Sequence, residues 1–152
     1  MCYFAKGKLI AAAACLKRAL YLSPLEWIIS YDLGLVYLSS GQYATAFEFI
    51  RASINLKPDF APSFMYLGVA LAKLNNFESA KSAYDQAITM QPGDHLFHLN
   101  YAISLTNAGR MIGAAEQWAL HNELYAHLDA AAQGDDADVA TMRTRLEELF
   151  AK

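Results

Sequence analysis

Apolar side chains recur at helical spacing through most of this chain, and the whole pattern repeats every ~34 residues. Prolines mark the period at Pro24, Pro58 and Pro92, and glycines keep the same interval at Gly34 and Gly68. Four alanines share one register, and each is followed four positions later by a larger side chain: Ala12, Ala46, Ala80 and Ala114. Because the markers hold one register over most of the chain, they indicate an array of similar helical units.

The register divides residues 1–128 into four repeats, near positions 1–24, 27–58, 61–92 and 95–126, each predicted to be a pair of antiparallel helices. In the first repeat, residues 1–6 are predicted to end one helix and residues 9–22 to form the next. The later helices are predicted over residues 27–39, 43–56, 61–74, 77–90, 95–107 and 111–128. The first repeat is therefore truncated, and we expect a fragment of a longer array that self-associates through its exposed apolar end.

Small residues are predicted to set the geometry of each pair. Residues that tolerate a left-handed backbone stand at the predicted turns: Gly41, Asn75, Asn76 and Gly109. Gly34 and Gly68 are predicted to lie where the two helices of a repeat cross too closely for a side chain, with Ala46 and Ala80 facing them. A larger residue at either glycine is expected to overpack the contact.

Residues 129–152 break the period and are predicted to form a loop and a capping helix. Asp136 or Asp138 is predicted to cap this last helix, as Asp94 caps an earlier one. The apolar side chains of the last helix recur at helical spacing: Val139, Met142, Leu146, Leu149 and Phe150. Repeat arrays need a terminal element with one polar face, and this segment suits that role.

Composition limits the classes of function that this chain can have. Apolar residues make up 55% of it and charged residues 18%, which favours packed structure over disorder. The net charge of −3 is small, and lysine and arginine do not form the basic stripe that nucleic-acid binding requires. No apolar run approaches the ~20 residues of a membrane span. Cys2 and Cys15 are too few for a disulfide framework, so the cytoplasm is the expected compartment.

Four histidines are the strongest candidates for metal ligands: His95, His98, His121 and His127. His95 and His98 stand at i and i+3 on one predicted helix, but a zinc site needs further ligands that converge on them. His98 holds a position that a packing residue normally takes, so we expect it to pack. No residue sets up the base and orienting group that a catalytic nucleophile needs. The sequence therefore predicts no enzyme activity, no metal and no cofactor.

The order of residue types within one period resembles the tetratricopeptide repeat. Leu33 and Gly34 are followed by the aromatic Tyr37, then by the small Ala46, a bulky residue and a closing proline. The resemblance covers residues 1–126. It implies an all-α solenoid of antiparallel helix pairs that binds other proteins, with residues 129–152 as its loop and capping helix.

A narrower resemblance is carried by two runs that the repeat itself does not require: Cys15-Leu16-Lys17-Arg18-Ala19 and Gln42-Tyr43-Ala44. These runs are similar to the Bardet–Biedl syndrome family of BBSome subunits, whose complex moves membrane proteins in and out of cilia. The resemblance implies a non-enzymatic scaffold whose partners are other subunits of that complex and centriolar satellite proteins. It also implies a location in the cytoplasm, at the cilium, basal body and centriolar satellites. Residues 129–152 match poorly and support neither identity nor partner.

In this family the first helix of each repeat lines an inner groove, and the resemblance places a mostly apolar row there. The predicted partner-binding groove residues are Ile28, Tyr31, Leu35, Met65, Val69, Leu96, Leu99 and Ile103. Such a groove suits an extended or helical segment with large apolar side chains. Some of these residues are expected to pack against neighbouring helices instead.

Two other functions are open alternatives at the level of sequence. A chaperone-associated adaptor would bind an acidic peptide tail through Lys, Arg and Asn on successive first helices. The relevant positions hold Tyr31, Asp32, Met65, Tyr66, Leu99 and Asn100. Only Asn100 among them fits such a clamp. A repeat domain attached to a glycosyltransferase would require a catalytic domain elsewhere in a longer chain.

Overall fold

A computed structural model describes residues 3–128 and 137–151 of the chain, and all regular secondary structure in those two ranges is helical. The helices are α1 (Tyr3–Leu22), α2 (Trp27–Ser39), α3 (Tyr43–Leu56), α4 (Ala61–Lys73), α5 (Phe77–Met90), α6 (His95–Asn107), α7 (Met111–Ala126) and α8 (Ala137–Phe150). The chain divides into two units, Met1–Met90 and Gln91–Lys152. In the first unit α1 packs on α2, and α2 pairs with α3 and α4 with α5. In the second unit α6 pairs with α7, and α8 packs against α6.

The same three-residue turn closes each of the three helix pairs. Its middle residue has a positive φ: 80° at Gly41, 62° at Asn75 and 76° at Gly109. The amide after that residue donates a 2.9 Å hydrogen bond to the carbonyl five positions back: Gln42 to Tyr37, Asn76 to Leu71 and Arg110 to Leu105. This pattern is the Schellman motif, which satisfies carbonyls at a helix end. The left-handed backbone predicted at these turns is confirmed.

The starts of two helices test the predicted caps. Asp94 caps α6, because its Oδ1 accepts a 3.0 Å hydrogen bond from the backbone N–H of Leu96. Asp138 lies inside the first turn of α8, which begins at Ala137, so it is not the cap residue. There its carboxylate is placed favourably with respect to the helix dipole. Asp136 lies outside the described residues.

The two helices of a pair approach each other most closely at the periodic glycines of the first unit. A Cβ placed on Gly34 would collide with the side chain of Ile50. A Cβ on Gly68 would lie 2.9 Å from Cε2 of Tyr84. The residue that meets each glycine is thus the bulky side chain, and the alanines predicted to face the glycines are buried one helical turn earlier in the same helices.

Three helix boundaries differ from the sequence prediction. The first helix is continuous over 20 residues from Tyr3, where an interruption after residue 6 was predicted. The prediction is wrong because Gly7 alone does not stop a helix: a glycine there costs only about 1 kcal/mol relative to alanine. Helix α4 ends at Lys73 with Leu74 as its C-cap. Helix α7 ends at Ala126, before the predicted 128, but its 16 residues still exceed the 14 of α3 and α5.

Each unit has its own apolar cluster. In the first unit, Leu33, Tyr37 and Ala46 are buried, and Leu16 and Leu20 of α1 pack against them. In the second unit, the buried residues come from all three helices: Leu99, Ala102, Trp118, Val139 and Leu146. The last helix therefore contributes to the core of its unit, and its capping role stays a prediction.

The glycine contact gives a stability prediction. Gly68→Ala is expected to lower the free energy of unfolding by about 1–3 kcal/mol, because the added methyl overpacks against the Tyr84 ring. The matched control is Gly113→Ala in α7, where the new Cβ would lie 3.4 Å from Cδ1 of Leu105, an ordinary contact. Since alanine favours helix, the control should be neutral or stabilising by up to ~1 kcal/mol. Urea unfolding compares the two, and equal losses would show that the pair tolerates a side chain at Gly68.

Candidate partner-binding surface

Four of the eight predicted groove residues have exposed surface on α2 and α4. Ile28, Tyr31 and Leu35 recur at i, i+3 and i+7 along α2, so they share one side of that helix. Val69 of α4 stands at the position of the next repeat that is equivalent to Leu35. Ile28 is 40% exposed and the other three side chains are half-buried. We call these four residues the α2–α4 face.

The other four predicted groove residues lie in or against a core. Met65 is 4% exposed and Leu99 is completely buried. A side chain without exposed surface cannot contact a partner, so these two are core residues and do not line a groove. Leu96 and Ile103 are partly buried against the apolar cluster that contains Leu99 and residues of α8. All four were assigned to the groove from the repeat register alone. The register does not show which other side chains or helices cover a given position.

An aromatic cluster lies beside the α2–α4 face. Its ring centroids are 4.7 Å apart for Trp27 and Phe60, 5.3 Å for Tyr31 and Phe60, 5.9 Å for Tyr31 and Tyr66, and 6.1 Å for Trp27 and Tyr31. Tyr31 meets both Phe60 and Tyr66 edge-on, a geometry that adds roughly 0.5–1.5 kcal/mol per pair beyond area burial. Because two of the rings belong to α2 and two to the start of α4 or to α4 itself, the cluster fixes α4 against α2.

Sequence reasoning missed half of this cluster for a specific reason. The position of Phe60 is held by Glu26 in the preceding repeat and by Asp94 in the following one. Tyr66 likewise replaces the acidic or amide residues of the neighbouring repeats. A search by period cannot mark a residue that occurs in one repeat only. The available signal was the local density of aromatic residues between positions 27 and 66.

The Tyr31 hydroxyl lies in surroundings that favour its neutral form. Burial is the largest cause that raises the pKa of the Tyr31 hydroxyl far above its ordinary value, followed by Tyr66 and Asp32. Tyr31 is therefore a neutral phenol at physiological pH. A cation, Lys57, lies at the edge of the cluster: its Nζ is 5.7 Å from the centroid of Trp27 and 3.3 Å from Oδ1 of Asp59.

A second surface of the first unit is a groove of ≈ 540 Å³ between α3, α4 and α5. Apolar side chains of α4 and α3 line one part of it, and polar side chains of α5 line the rest: Phe47, Phe64, Leu67, Leu71, Ser79, Ser82 and Gln86. A smaller cavity of ≈ 360 Å³ lies between α1 and α2 beside Ile10 and Tyr37. The groove and the cavity lie away from the row of predicted groove residues. The periodic pattern therefore did not indicate them.

Two of the four histidines considered as metal ligands, His98 and His121, are buried in the second unit. The Nδ1 atom of His98 is 2.7 Å from Oε1 of Gln117, and the side chain is buried, as predicted. His121 is fully buried, with its Nδ1 2.9 Å from the carbonyl of His95. Across the described residues, no three His, Cys, Asp or Glu side chains come together as metal ligands.

Arg143 of α8 fixes the protonation state of His121. Its Nη1 lies 2.6 Å from Nε2 of His121. Since a guanidinium group can only donate, Nε2 must accept, and the ring proton is on Nδ1, which donates to the His95 carbonyl. Burial is the main cause that lowers the pKa of His121 to about 4; the His95 carbonyl opposes the shift, and Arg143, His95 and His98 add to it. Burial also lowers the pKa of His95.

The comparisons with known proteins agree with this architecture. The model of the tetratricopeptide repeat family matches residues 3–61 and 67–121. The chain belongs to the tetratricopeptide repeat family. MamA from Desulfovibrio magneticus RS-1 is structurally similar, with a TM-score of 0.73 and 24% identity over 81% of this chain and 70% of that chain. An O-GlcNAc transferase of Thermobaculum terrenum has a TM-score of 0.62 and 24% identity over 66% of this chain and 19% of that chain. At these identities the likeness confirms the all-α repeat fold alone.

Among curated proteins, the chain is similar to BBSome complex members named BBS4. The Xenopus tropicalis protein is 49% identical over 118 residues, covering 78% of this chain and 23% of that protein. The Mus musculus protein is 46% identical over the same length, and the Drosophila melanogaster homolog is 38% identical over 124 residues. The predicted resemblance to BBSome subunits is thereby confirmed. The chain spans about a quarter of the length of the curated relatives it matches.

The repeat geometry gives no support to the acidic-tail clamp. Asn100, which alone fitted that clamp, donates its side-chain amide to the carbonyl of Leu96 at 2.9 Å. The other clamp positions hold aromatic, apolar or acidic side chains. Without a cation at these positions, the first helices have nothing there to pair with a peptide carboxylate. None of the helices in residues 3–128 and 137–151 has both the length and the apolarity of a membrane span.

The protonation state of His121 gives a pH prediction. Its pKa is about 4 in the folded protein and has the ordinary value of 6.5 when unfolded, so acid favours the unfolded state. The stabilisation of the fold by neutral His121 is fully present above about pH 6.5 and is lost as the pH falls towards 4. Between pH 7 and pH 5 the free energy of unfolding should fall by ~2 kcal/mol.

Urea unfolding at the two pH values measures this change. His121→Gln should flatten the pH dependence, whatever its effect on stability at pH 7. His127→Gln, at a histidine whose side chain is exposed, is the matched control. An unaltered dependence in the His121 variant would mean that other groups cause it.

Proposed function

We propose that this chain is a non-enzymatic protein-interaction scaffold that belongs to a BBSome-type complex and acts in ciliary membrane-protein trafficking. The observation that carries the proposal is the 46–49% identity to vertebrate BBSome complex members over 78% of the chain. The repeat family supports the scaffold part of the proposal, because stacked helix pairs present extended surfaces to other proteins. The compartments that follow are the cytoplasm, the cilium, the basal body and centriolar satellites.

The partners proposed for this scaffold are other subunits of the complex, and also centriolar satellite proteins. We place their contact on the α2–α4 face. Its side chains are apolar or aromatic, and one carboxylate, Asp32, lies within the same stretch of α2. A surface of this kind suits an extended or helical segment with large apolar side chains. The rigid aromatic cluster beside it limits the freedom that the face would lose on binding.

A charge substitution tests this face. Ile28→Glu should reduce recovery of BBSome subunits by the tagged chain about tenfold, equivalent to roughly 1.4 kcal/mol, because it places a carboxylate against apolar surface. The matched control is Ile112→Glu on α7, since Ile112 is 82% exposed and lies outside the face. The measurement is quantitative affinity purification from a ciliated-cell extract, with circular dichroism to check that both variants are folded.

The results separate the two parts of the proposal. If the wild-type chain recovers no BBSome subunit, the complex has been assigned wrongly. If it does and Ile28→Glu binds as well as the wild type, the α2–α4 face is the wrong surface. In that case the groove between α3, α4 and α5 is the next surface to substitute.

Self-association is a further proposal, which rests on exposed apolar side chains of α1. Ile10 is 67% and Tyr21 86% exposed, and they stand close to three helical turns apart, so they share one side of the helix. Exposed apolar patches tend to find another surface. Replacing both with lysine should weaken association about tenfold in analytical ultracentrifugation. Ile112→Lys is the control, and a wild-type chain that stays monomeric at every concentration would contradict the proposal.

A further inference from the structure

Helix α8 lies on a surface made by the last helix pair. Its apolar residues Val139, Met142, Leu146 and Phe150 follow one another at intervals of three, four and four, which places them on one side of the helix. They pack with α6 and α7 in one cluster that includes Leu96, Leu99, Ala102, Ile103 and Trp118. Val139 is 9% exposed and Leu146 is completely buried. The pair α6–α7 therefore offers an apolar site that a helix fills.

Repeat register shows what kind of site this is. Leu99 holds the same register position as Tyr31, two repeats later in the chain. In the first unit the ring of Tyr31 is covered by Phe60 and Tyr66 at the start of the following repeat. In the second unit Leu99 is covered by α8. Helix α8 thus covers the surface that the following repeat covers in the first unit. The sequence of α8 is nevertheless not that of a repeat.

Arg143 adds polar and ring contacts to the apolar attachment of α8. The guanidinium lies 3.8 Å from the ring centroid of Tyr125, and its Nη1 is 2.6 Å from Nε2 of His121 and 3.0 Å from Oδ1 of Asn122. Arg145 adds a 2.9 Å hydrogen bond to Asn107. By comparison, each of the helices from α2 to α7 buries between three and six residues in its unit. Helix α8 buries two, Val139 and Leu146. A helix with few buried residues opens locally at a lower free energy than the helices of the core do.

We propose that the surface of α6 and α7 beneath α8 is a helix-docking site and that α8 is its exchangeable occupant. The partner it takes is an amphipathic helix with apolar side chains at the spacing of α8 and a guanidinium group at the place of Arg143. Trp118, Tyr125 and His121 form the pocket for that cation, and Leu99 and Ala102 form the apolar floor. The proposal is independent of the BBSome assignment, because it rests only on contacts within the second unit.

A labelled synthetic peptide of residues 137–150 is the probe, and the 152-residue chain is the receptor. In the wild-type chain the attached α8 competes at a high effective concentration, so the peptide should bind weakly. Leu146→Ala in the chain removes the most buried contact of its own helix and should tighten binding of the wild-type peptide at least tenfold. Arg143→Gln in the chain should tighten it by a smaller factor. Fluorescence anisotropy measures both.

Matched controls decide between outcomes. A peptide carrying Leu146→Asp should not bind either chain, and Leu149→Ala in the chain should leave peptide affinity as in the wild type, because Leu149 is 37% exposed. Hydrogen exchange should show α6 and α7 protected in every variant. Equal binding to the wild-type and Leu146→Ala chains, or no binding to either, overturns the proposal. Loss of protection in α6 and α7 would also overturn it, because α8 would then be an integral part of the fold.

Discussion

The close approach of two helices in the pairs α2–α3 and α4–α5 is the constraint on which the packing of the first unit depends. Gly34 against Ile50 and Gly68 against Tyr84 leave no space for another carbon atom. Such a contact fixes the distance between the paired helices. With the pair fixed, the side chains around the contact have defined positions, and those of the α2–α4 face are among them. Packed interiors deform little, so a rigid pair gives a rigid surface.

Much of the fold followed from residues that the period repeats. Turn positions could be predicted because Gly41, Asn75 and Gly109 have a physical reason to be there, the positive φ of each helix end. The bounds of the paired helices followed from those turns and from the prolines. The first helix was mispredicted at Gly7, where the register implied a break. A single glycine weakens a helix without ending it, and the neighbouring turns of α1 supply enough hydrogen bonds to continue it.

The candidate surface was harder to predict, because exposure depends on what lies above a residue. Tyr31, Met65 and Leu99 share one register position, yet Tyr31 is half-buried and the other two have almost no exposed surface. Leu99 is covered by α8, a segment with no counterpart in the earlier repeats. Residues that occur once, such as Phe60 and Arg143, shape both units and leave no trace in a periodic pattern. Periodicity thus locates the helices and their shared contacts, whereas single departures from it decide which positions stay open.

In the two units the same register position, Tyr31 or Leu99, is covered by different kinds of side chain. Beside Tyr31, aromatic rings at the start of α4 cover α2, and the contact requires no charge. Beside Leu99, α8 contributes an apolar row and also the guanidinium of Arg143. That group contacts the neutral His121 and the ring of Tyr125. A largely buried cation whose counter-charge is exposed is sensitive to its neighbours, because each polar contact offsets part of its desolvation. The aromatic cluster is therefore suited to a permanent contact between α2 and α4. The contact of Arg143 is suited to an attachment that a competing helix, or protonation of His121, can loosen.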